Sequence, residues 1–332
     1  MAVYPKTEGA SFMATDSRDD SAIAAIRNRI WFTVMAVIVA ALALVPVLGT
    51  SLSFSFYLML WITMATGLNI IAGFTGYMPL GYVAFYGIGA FATAILTKMF
   101  GVPVYVSILV GGVCGVLLSL LFAPTLKLKG IYFAIVSLGL AIICRLVIVN
   151  LPESWAGGSY GINLGLSISP VVTFYYMLAV MVAALLTITW LAQSRLGKAL
   201  RAIRDDDQAA EVMGVNVVGT RLKAWMLSAL FGALAGGVEA WYTNIIDPES
   251  AFQFLVTAKT VIYAIAGGLG TVTGPVIGAI VMVWVDDLIW QRFPIFNLFL
   301  LGLAIILLIL FLPRGIVGSI IQRKPSWRRY IL

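Results

Sequence analysis

VVTFYYMLAVMVAALLTITWL, residues 171–191, contains no charged residue. A predominantly apolar segment of about 18 or more residues crosses the roughly 30 Å hydrocarbon core of a bilayer, at about 1.5 Å per helical residue. Directly after it comes QSRLGKALRAIRDDDQAAEVMGVNVVGTRLK, residues 193–223, the longest polar stretch between apolar runs. The first segment decides the fold class, and the second is the most informative interruption of it.

Working outward, similar apolar runs fill the chain. Candidate spans are Ile30–Leu48, Phe54–Ala72, Leu80–Thr97, Val104–Phe122, Ile131–Val149, Val171–Leu191, Ala224–Tyr242, Phe254–Ala266, Val272–Val285 and Ile295–Leu312. The eighth and ninth are short and separated by Gly267, Gly268 and Gly270, so a hairpin of two spans and a re-entrant pair both remain open. Of the 332 residues, 61% are apolar and only 11% charged. A soluble domain carries about 25% charge to coat its surface. The expectation is an all-α polytopic membrane bundle of about ten transmembrane helices. Residues 1–29 form a polar tail, 30–318 the transmembrane domain with residues 192–223 as its cytoplasmic insert, and 319–332 a second tail. The N-terminal tail makes a poor signal peptide, since the run behind it is long enough to span.

Charge asymmetry orients the bundle. With the N-terminus inside, the tail, the Lys127/Lys129 turn, residues 192–223 and the C-terminal tail hold 17 of the 21 Lys and Arg residues. The loop 151–170 has none, as an external loop should. Both termini are therefore expected in the cytoplasm. Positive-inside loops beside anionic lipid account for the net charge of +7. There is no basic, aromatic-interleaved soluble patch to bind nucleic acid.

The residue inventory excludes most catalysis. Histidine is absent, which removes the commonest general base and metal ligand. Cys114 and Cys144 lie inside apolar runs and read as small buried hydrophobes. Asp286 and Asp287 are adjacent, so on a helix they point about 100° apart and make a poor catalytic pair. No phosphate-binding Gly-rich loop with Lys-Ser/Thr occurs, so any ATP and Mg must sit on another subunit. A secondary transporter or channel working alone is the main alternative. Such proteins usually carry membrane-embedded acidic or His groups, whereas the acidic residues here lie peripherally.

Two glycine clusters share a pattern. Ile71-Ala72-Gly73-x-x-Gly76 and Ile265-Ala266-Gly267-x-x-Gly270 are each followed by a proline, Pro79 and Pro275. Paired Gly/Pro interruptions point to a transport site, while close packing through small residues is the plainer account. Asn69, Gly76, Tyr82, Phe85, Tyr86, Gly267 and Gly270 are the candidate translocation-pathway residues. Arg145, Glu239, Lys259, Asp286 and Asp287 fall within or at the ends of spans. Arg145, Glu239 and Asp286 are expected to form an outer vestibule, with Arg145 and Glu239 as a pair. For Lys259 and Asp287, snorkelling to the headgroups competes.

In the polar insert, Leu196, Leu200 and Ile203 recur near helical spacing between Arg195, Lys198, Arg201 and Arg204. A basic amphipathic extension of the sixth span follows from this. Asp205, Asp206 and Asp207 suit the positive N-terminus of a second short helix over 208–213, closed by Gly214. The insert reads either as a loop lying on headgroups or as a docking helix for a cytoplasmic motor.

This insert resembles the coupling region of LivM-type permeases of the branched-chain amino acid ABC transporter family. The matching residues are Gly197, Ala199–Arg204, then Ala209, Ala210, Glu211, Met213, Gly214 and Val215. The resemblance continues through Gly67-Leu68-Asn69, Gly76, Ala84–Ala90, Gly130–Ile135, Gly267–Thr271 with Gly274-Pro275, and Phe311–Gly315. It implies an inner-membrane importer subunit for branched-chain or other hydrophobic or aromatic amino acids. Arg201, Arg204, Asp207, Ala209, Ala210, Glu211 and Gly214 would couple it to ATPases. The implied partners are a second, LivH-like permease, two LivG/LivF-like ATPases and an external substrate-binding protein. The chain departs from the family pattern at Tyr77, Pro79 and Tyr82, where polar residues are usual, and in Gly157–Gly161, where a usual acidic residue is missing. An aromatic-lined path would suit a larger solute.

Overall fold

The computed structural model describes residues 28–46, 51–128, 130–165 and 169–293, scattered positions between 296 and 310, and residues 315–323. Among the described residues, nine helices are long and apolar enough to cross a membrane. The chain is an all-α polytopic bundle. The expected tenth span, Ile295–Leu312, falls mostly outside the described residues, as do residues 1–27 and 324–332 of the two tails, whereas residues 319–323, expected in the C-terminal tail, are helical.

Helix α1 is Asn28–Pro46, α2 Leu52–Thr75, α3 Val83–Phe100, α4 Val104–Leu121 and α5 Ile131–Val149. After a loop come α6 (Pro170–Gln193), the short α7 (Arg195–Asp205) and α8 (Asp207–Val212), and then α9 (Val217–Thr243). Helices α10 (Phe254–Gly267) and α11 (Gly274–Arg292) form an antiparallel hairpin, and α12 is Gly315–Arg323. Each arm is long and apolar enough to cross a membrane once the helical turn Pro248–Ala251 is counted with α10. Helix α9 starts at Val217 rather than at the expected Ala224. The side chain of Asn216 caps it, and Arg221 and Lys223 are charged but good helix formers.

Helix α2 is the axis of the bundle and packs against α6, α7, α9, α10 and α11. Met59, Met64, Leu68, Ile70 and Phe74 on it are wholly buried. A helix that is apolar all round belongs in such a position. Helices α4 and α5 instead expose Leu109, Val113, Leu117, Ile135, Ile142 and Val147 along their outer faces.

Lipid tails are as apolar as leucine, so the helices associate through close packing rather than by hydrophobic expulsion from water. Small residues allow it where α3, α4 and α9 meet. A Cβ on Gly89 would stand 2.0 Å from the Ala233 carbonyl oxygen, and one on Gly236 2.1 Å from that of Tyr86.

The start of α1, the turn at Ala123–Lys127 and residues 192–223 lie at one end of the bundle. Asn28 and Gln193 exchange side-chain hydrogen bonds of 3.3 and 3.4 Å there, joining the start of α1 to the end of α6. Trp31 Nε1 donates to Thr189 Oγ1 at 2.8 Å one turn further in. At the opposite end, β1 (Ile162–Asn163) pairs antiparallel with β2 (Ile245–Ile246).

Candidate functional site

Helix α7 does not continue α6. Ser194 ends α6, and its hydroxyl accepts from the Gly197 amide at 3.1 Å to start a new helix. Glycine is needed at 197 because a Cβ would lie 1.9 Å from the Leu191 carbonyl oxygen. The amphipathic spacing is used as expected: Leu200 and Ile203 are buried, whereas Arg195 and Lys198 face out. Arg201 Nη2 reaches back to the Ala192 carbonyl at 2.9 Å, with its guanidinium 5.8 Å from the Phe74 ring.

The aspartates divide their work. Asp206 caps α8, accepting from the Gln208 and Ala209 amides at 2.9 and 3.0 Å. Asp207 turns inward to Arg221 at 3.2 Å. Arg221 is 3% exposed and lies over the Tyr77 ring at 4.0 Å. Gly214, at φ +85°, follows α8 in the left-handed region that glycine tolerates. Ala210 is buried, whereas Gln208, Ala209, Glu211 and Val212 of α8 and the Met213 and Gly214 that follow it are exposed. Val212 and Met213 are 87% and 83% exposed.

Arg204 joins this region to both glycine breaks. Its Nη1 donates to the Gly73 carbonyl at 2.6 Å. A Cβ on Gly270 would fall 2.1 Å from the same nitrogen. The breaks themselves are stapled by Asn69, whose Nδ2 donates to the Thr271 carbonyl at 2.8 Å and whose Oδ1 accepts from the Gly270 amide at 2.8 Å. Gly76 (φ +77°) ends α2 beside the Arg204 side chain, and Gly270 (φ +86°) turns the hairpin. Gly267 serves close packing: its Cβ would meet the Gly274 carbonyl oxygen at 1.7 Å.

The aromatic residues of the first break are placed differently from an open aromatic path. Tyr82 and Phe85 are wholly buried, as is Asn69. The Tyr82 hydroxyl donates to the Ser228 carbonyl at 2.9 Å, and the Phe85 ring packs edge-on to Trp225 at 4.7 Å. They fill the gap left where residues 76–82 run non-helically through the bundle. Tyr86 lines a cavity of about 280 Å³ shared with Glu239, Thr243 and Gln253.

The expected pair of Arg145 and Glu239 is not formed. Arg145 stands on the outer face of α5 among the exposed Ile142, Ile143, Leu146 and Val147. Glu239 is on α9, which is enclosed by α2, α3 and α4, so the two side chains point into different surroundings. Among the described residues, an ion pair at this end joins Lys259 Nζ to Asp286 Oδ2 at 2.7 Å, linking α10 to α11. The Tyr263 hydroxyl sits 3.5 Å from the same oxygen. Lys259 and Asp286 border a second cavity, of about 460 Å³, with Tyr57, Trp61, Asp287 and Trp290. Helical periodicity did not reveal this pair, but the four-position spacing from Lys259 to Tyr263 does put both on one face of α10.

The protein family described as "Branched-chain amino acid transport system / permease component" matches residues 50–312. The chain belongs to that family. Among its relatives within the permease family is the high-affinity branched-chain amino acid transport system permease protein LivM of Escherichia coli K12. It is 29% identical over 291 residues, covering 78% of this chain and 68% of that protein. LivH of Salmonella typhimurium is 22% identical over 281 residues, covering 77% of this chain and 90% of the relative. A probable LivH of Methanocaldococcus jannaschii is 24% identical, over 68% of this chain and 76% of its own length. No solved structure matches the chain. The Asn69–Arg204 junction and both cavities lie within the matched permease region.

Proposed function

We propose that this permease works as one membrane half of an ATP-driven importer of branched-chain or other hydrophobic amino acids. A second, LivH-like permease would complete the membrane domain. Two LivG/LivF-like ATPases would carry ATP and Mg, and an external binding protein would deliver the solute. The matched relatives carry amino acid transport in their names, which supports the solute class. Residues 192–223 then face the cytoplasm of a bacterial inner membrane, in line with the 17 basic residues on that side.

The observation that carries the reading is the contact of Arg204 with the Gly73 carbonyl. A force applied to the exposed face of α8 passes through α7 to a residue wedged between two helix breaks. Movement there shifts α2 against the α10–α11 hairpin, which alternates access across the bundle. Bistable packed elements transmit such motions in discrete steps.

Proteoliposomes holding this chain with its two ATPases and second permease test the proposal. Liganded binding protein should accelerate ATP hydrolysis and drive solute uptake. Uptake by this chain alone without ATP would overturn it.

A further inference from the structure

The Lys259 cavity has the composition of a site for a zwitterion. We infer that it receives a free α-amino acid with a large apolar side chain, on the side of the membrane opposite α7 and α8. The inference rests on the importer reading and deepens it by assigning the residues that read the solute.

Charge comes first. A charged side chain within a span costs about 2.5–3.5 kcal/mol on insertion scales, so three around one cavity demand an explanation. The wall carries one ammonium, Lys259, and two carboxylates, Asp286 and Asp287. A simple structural pair needs only two of these. Asp287 instead takes a hydrogen bond from Gln291 Nε2 at 2.6 Å. That leaves the cavity one negative charge in excess, which favours a ligand bearing an ammonium.

Hydrogen bonding points the same way. Asp286 Oδ2 collects both Lys259 and Tyr263, while its Oδ1 is enclosed and has no hydrogen-bond partner among the described residues. A shielded carboxylate oxygen without a donor is costly. A small turn of the Asp286 carboxylate toward the cavity gives that oxygen to an incoming ammonium. Lys259 stays beside it for the carboxylate of the same molecule. The two side chains are 18% and 19% exposed, and both line the cavity.

Shape completes the case. The volume of about 460 Å³ holds an amino acid with water to spare. Trp61, Tyr57 and Trp290 supply the apolar remainder of the wall. Trp61 faces Lys259 Nζ at 5.9 Å and meets the Tyr263 ring edge-on at 5.3 Å, so it is held in place. An aliphatic or aromatic side chain would lie along these rings with its charged end at Lys259 and Asp286–Asp287.

The test uses the assembled transporter in nanodiscs, without its binding protein, titrated with L-leucine while tryptophan fluorescence is read. Saturable binding is expected, weakened at least about tenfold for 4-methylpentanoate, which lacks the ammonium, and for 3-methylbutylamine, which lacks the carboxylate. Asp287→Asn keeps the Lys259–Asp286 pair and should weaken leucine binding several-fold. The exchange Lys259→Asp with Asp286→Lys restores a pair with its ends reversed. A merely structural pair would then bind leucine as the native protein does, and that result overturns the proposal. Equal binding of the amine and of leucine overturns it too, as does displacement of leucine by phosphatidylethanolamine in the disc, which would make the cavity a lipid site. ATP-driven uptake is scored separately with binding protein present. Normal uptake with no leucine site removes this inference and leaves the importer reading standing, whereas loss of all ATP-driven uptake removes the latter.

Discussion

Arg204 Nη1 donates to the carbonyl oxygen of Gly73 at 2.6 Å, across 131 residues of sequence. The carbonyl belongs to the last turn of α2, where the following break leaves helix acceptors without intrahelical donors. A cation is well suited to such a helix end. The bond therefore stabilises the end of α2 and ties it to α7 in a single contact.

Replacing Arg204 by Ala should uncouple hydrolysis from transport. A charge-assisted hydrogen bond contributes about 1.5–3 kcal/mol, and partial solvent access puts this one at the low end, about tenfold in an equilibrium. Uptake per ATP hydrolysed should fall about tenfold, while basal ATPase activity and assembly persist. Arg204→Lys should recover only part of the loss, because an ammonium lacks the planar fork that fits between Gly73 and Gly270. Uptake and hydrolysis falling in step would argue against this link.

Gly270 tests the same junction from the other side. A methyl group there would collide with Arg204 Nη1, and φ of +86° disfavours any L side chain. The left-handed backbone alone costs about 1–2 kcal/mol, and the flexible Arg204 head would have to swing aside and give up its bond to Gly73. Gly270→Ala should lower the midpoint of thermal unfolding in detergent by several degrees and sharply reduce uptake. Gly101→Ala has a similar φ of +61° but open space around it, so it should show the backbone penalty alone. Equal behaviour of the two variants would mean that the contact with Arg204 is immaterial.

Much of this junction was legible in the sequence, but not its connection. The two glycine patterns and the basic spacing of Arg201 and Arg204 are local, and local periodicity is what sequence shows best. That Asn69 would bridge the breaks depends on α2 and the α10–α11 hairpin being neighbours, and no local signal encodes that. The end charges went the other way. Arg145 and Glu239 matched in depth, yet depth leaves the direction around each helix axis undetermined, and Arg145 faces out from α5. Lys259 and Asp286 lie 27 residues apart on two arms of one hairpin, where folding the arms together about the glycine turn brings them into register.

Tyr82 departs from the polar residue usual in the family, and its burial separates two readings of that departure. Its ring is wholly enclosed and its hydroxyl is spent on the Ser228 carbonyl. Tyr82→Phe should cost about 1 kcal/mol of stability and leave the range of transported solutes unchanged. Tyr82→Ala would open a cavity worth about 3–5 kcal/mol and should compromise folding. A change of solute preference in the stable Phe variant would place Tyr82 in the path after all.

Helix α8 offers the surface on which a motor subunit would act. Glu211 and Val212 are exposed at the end of this short helix and Met213 directly after it, while Asp206 caps the helix and the Asp207–Arg221 contact fixes it from behind. Two large apolar side chains exposed beside a carboxylate fit the composition of a partner-binding patch, apolar at its centre with charge at its rim. Glu211→Arg reverses the rim charge without touching a buried group, so the variant should insert and unfold like the native chain. Its co-purification with the ATPase subunits should fall at least about tenfold, since like charges across an interface cost several kcal/mol. Met213→Ala should weaken association less. Asp207→Asn should act through the support rather than the surface: the buried Arg221 loses its charged partner, and amide hydrogen exchange in α8 should quicken even without partners present. Full association of the Glu211→Arg chain with ATPases that respond normally to the binding protein would exclude α8 as the docking surface.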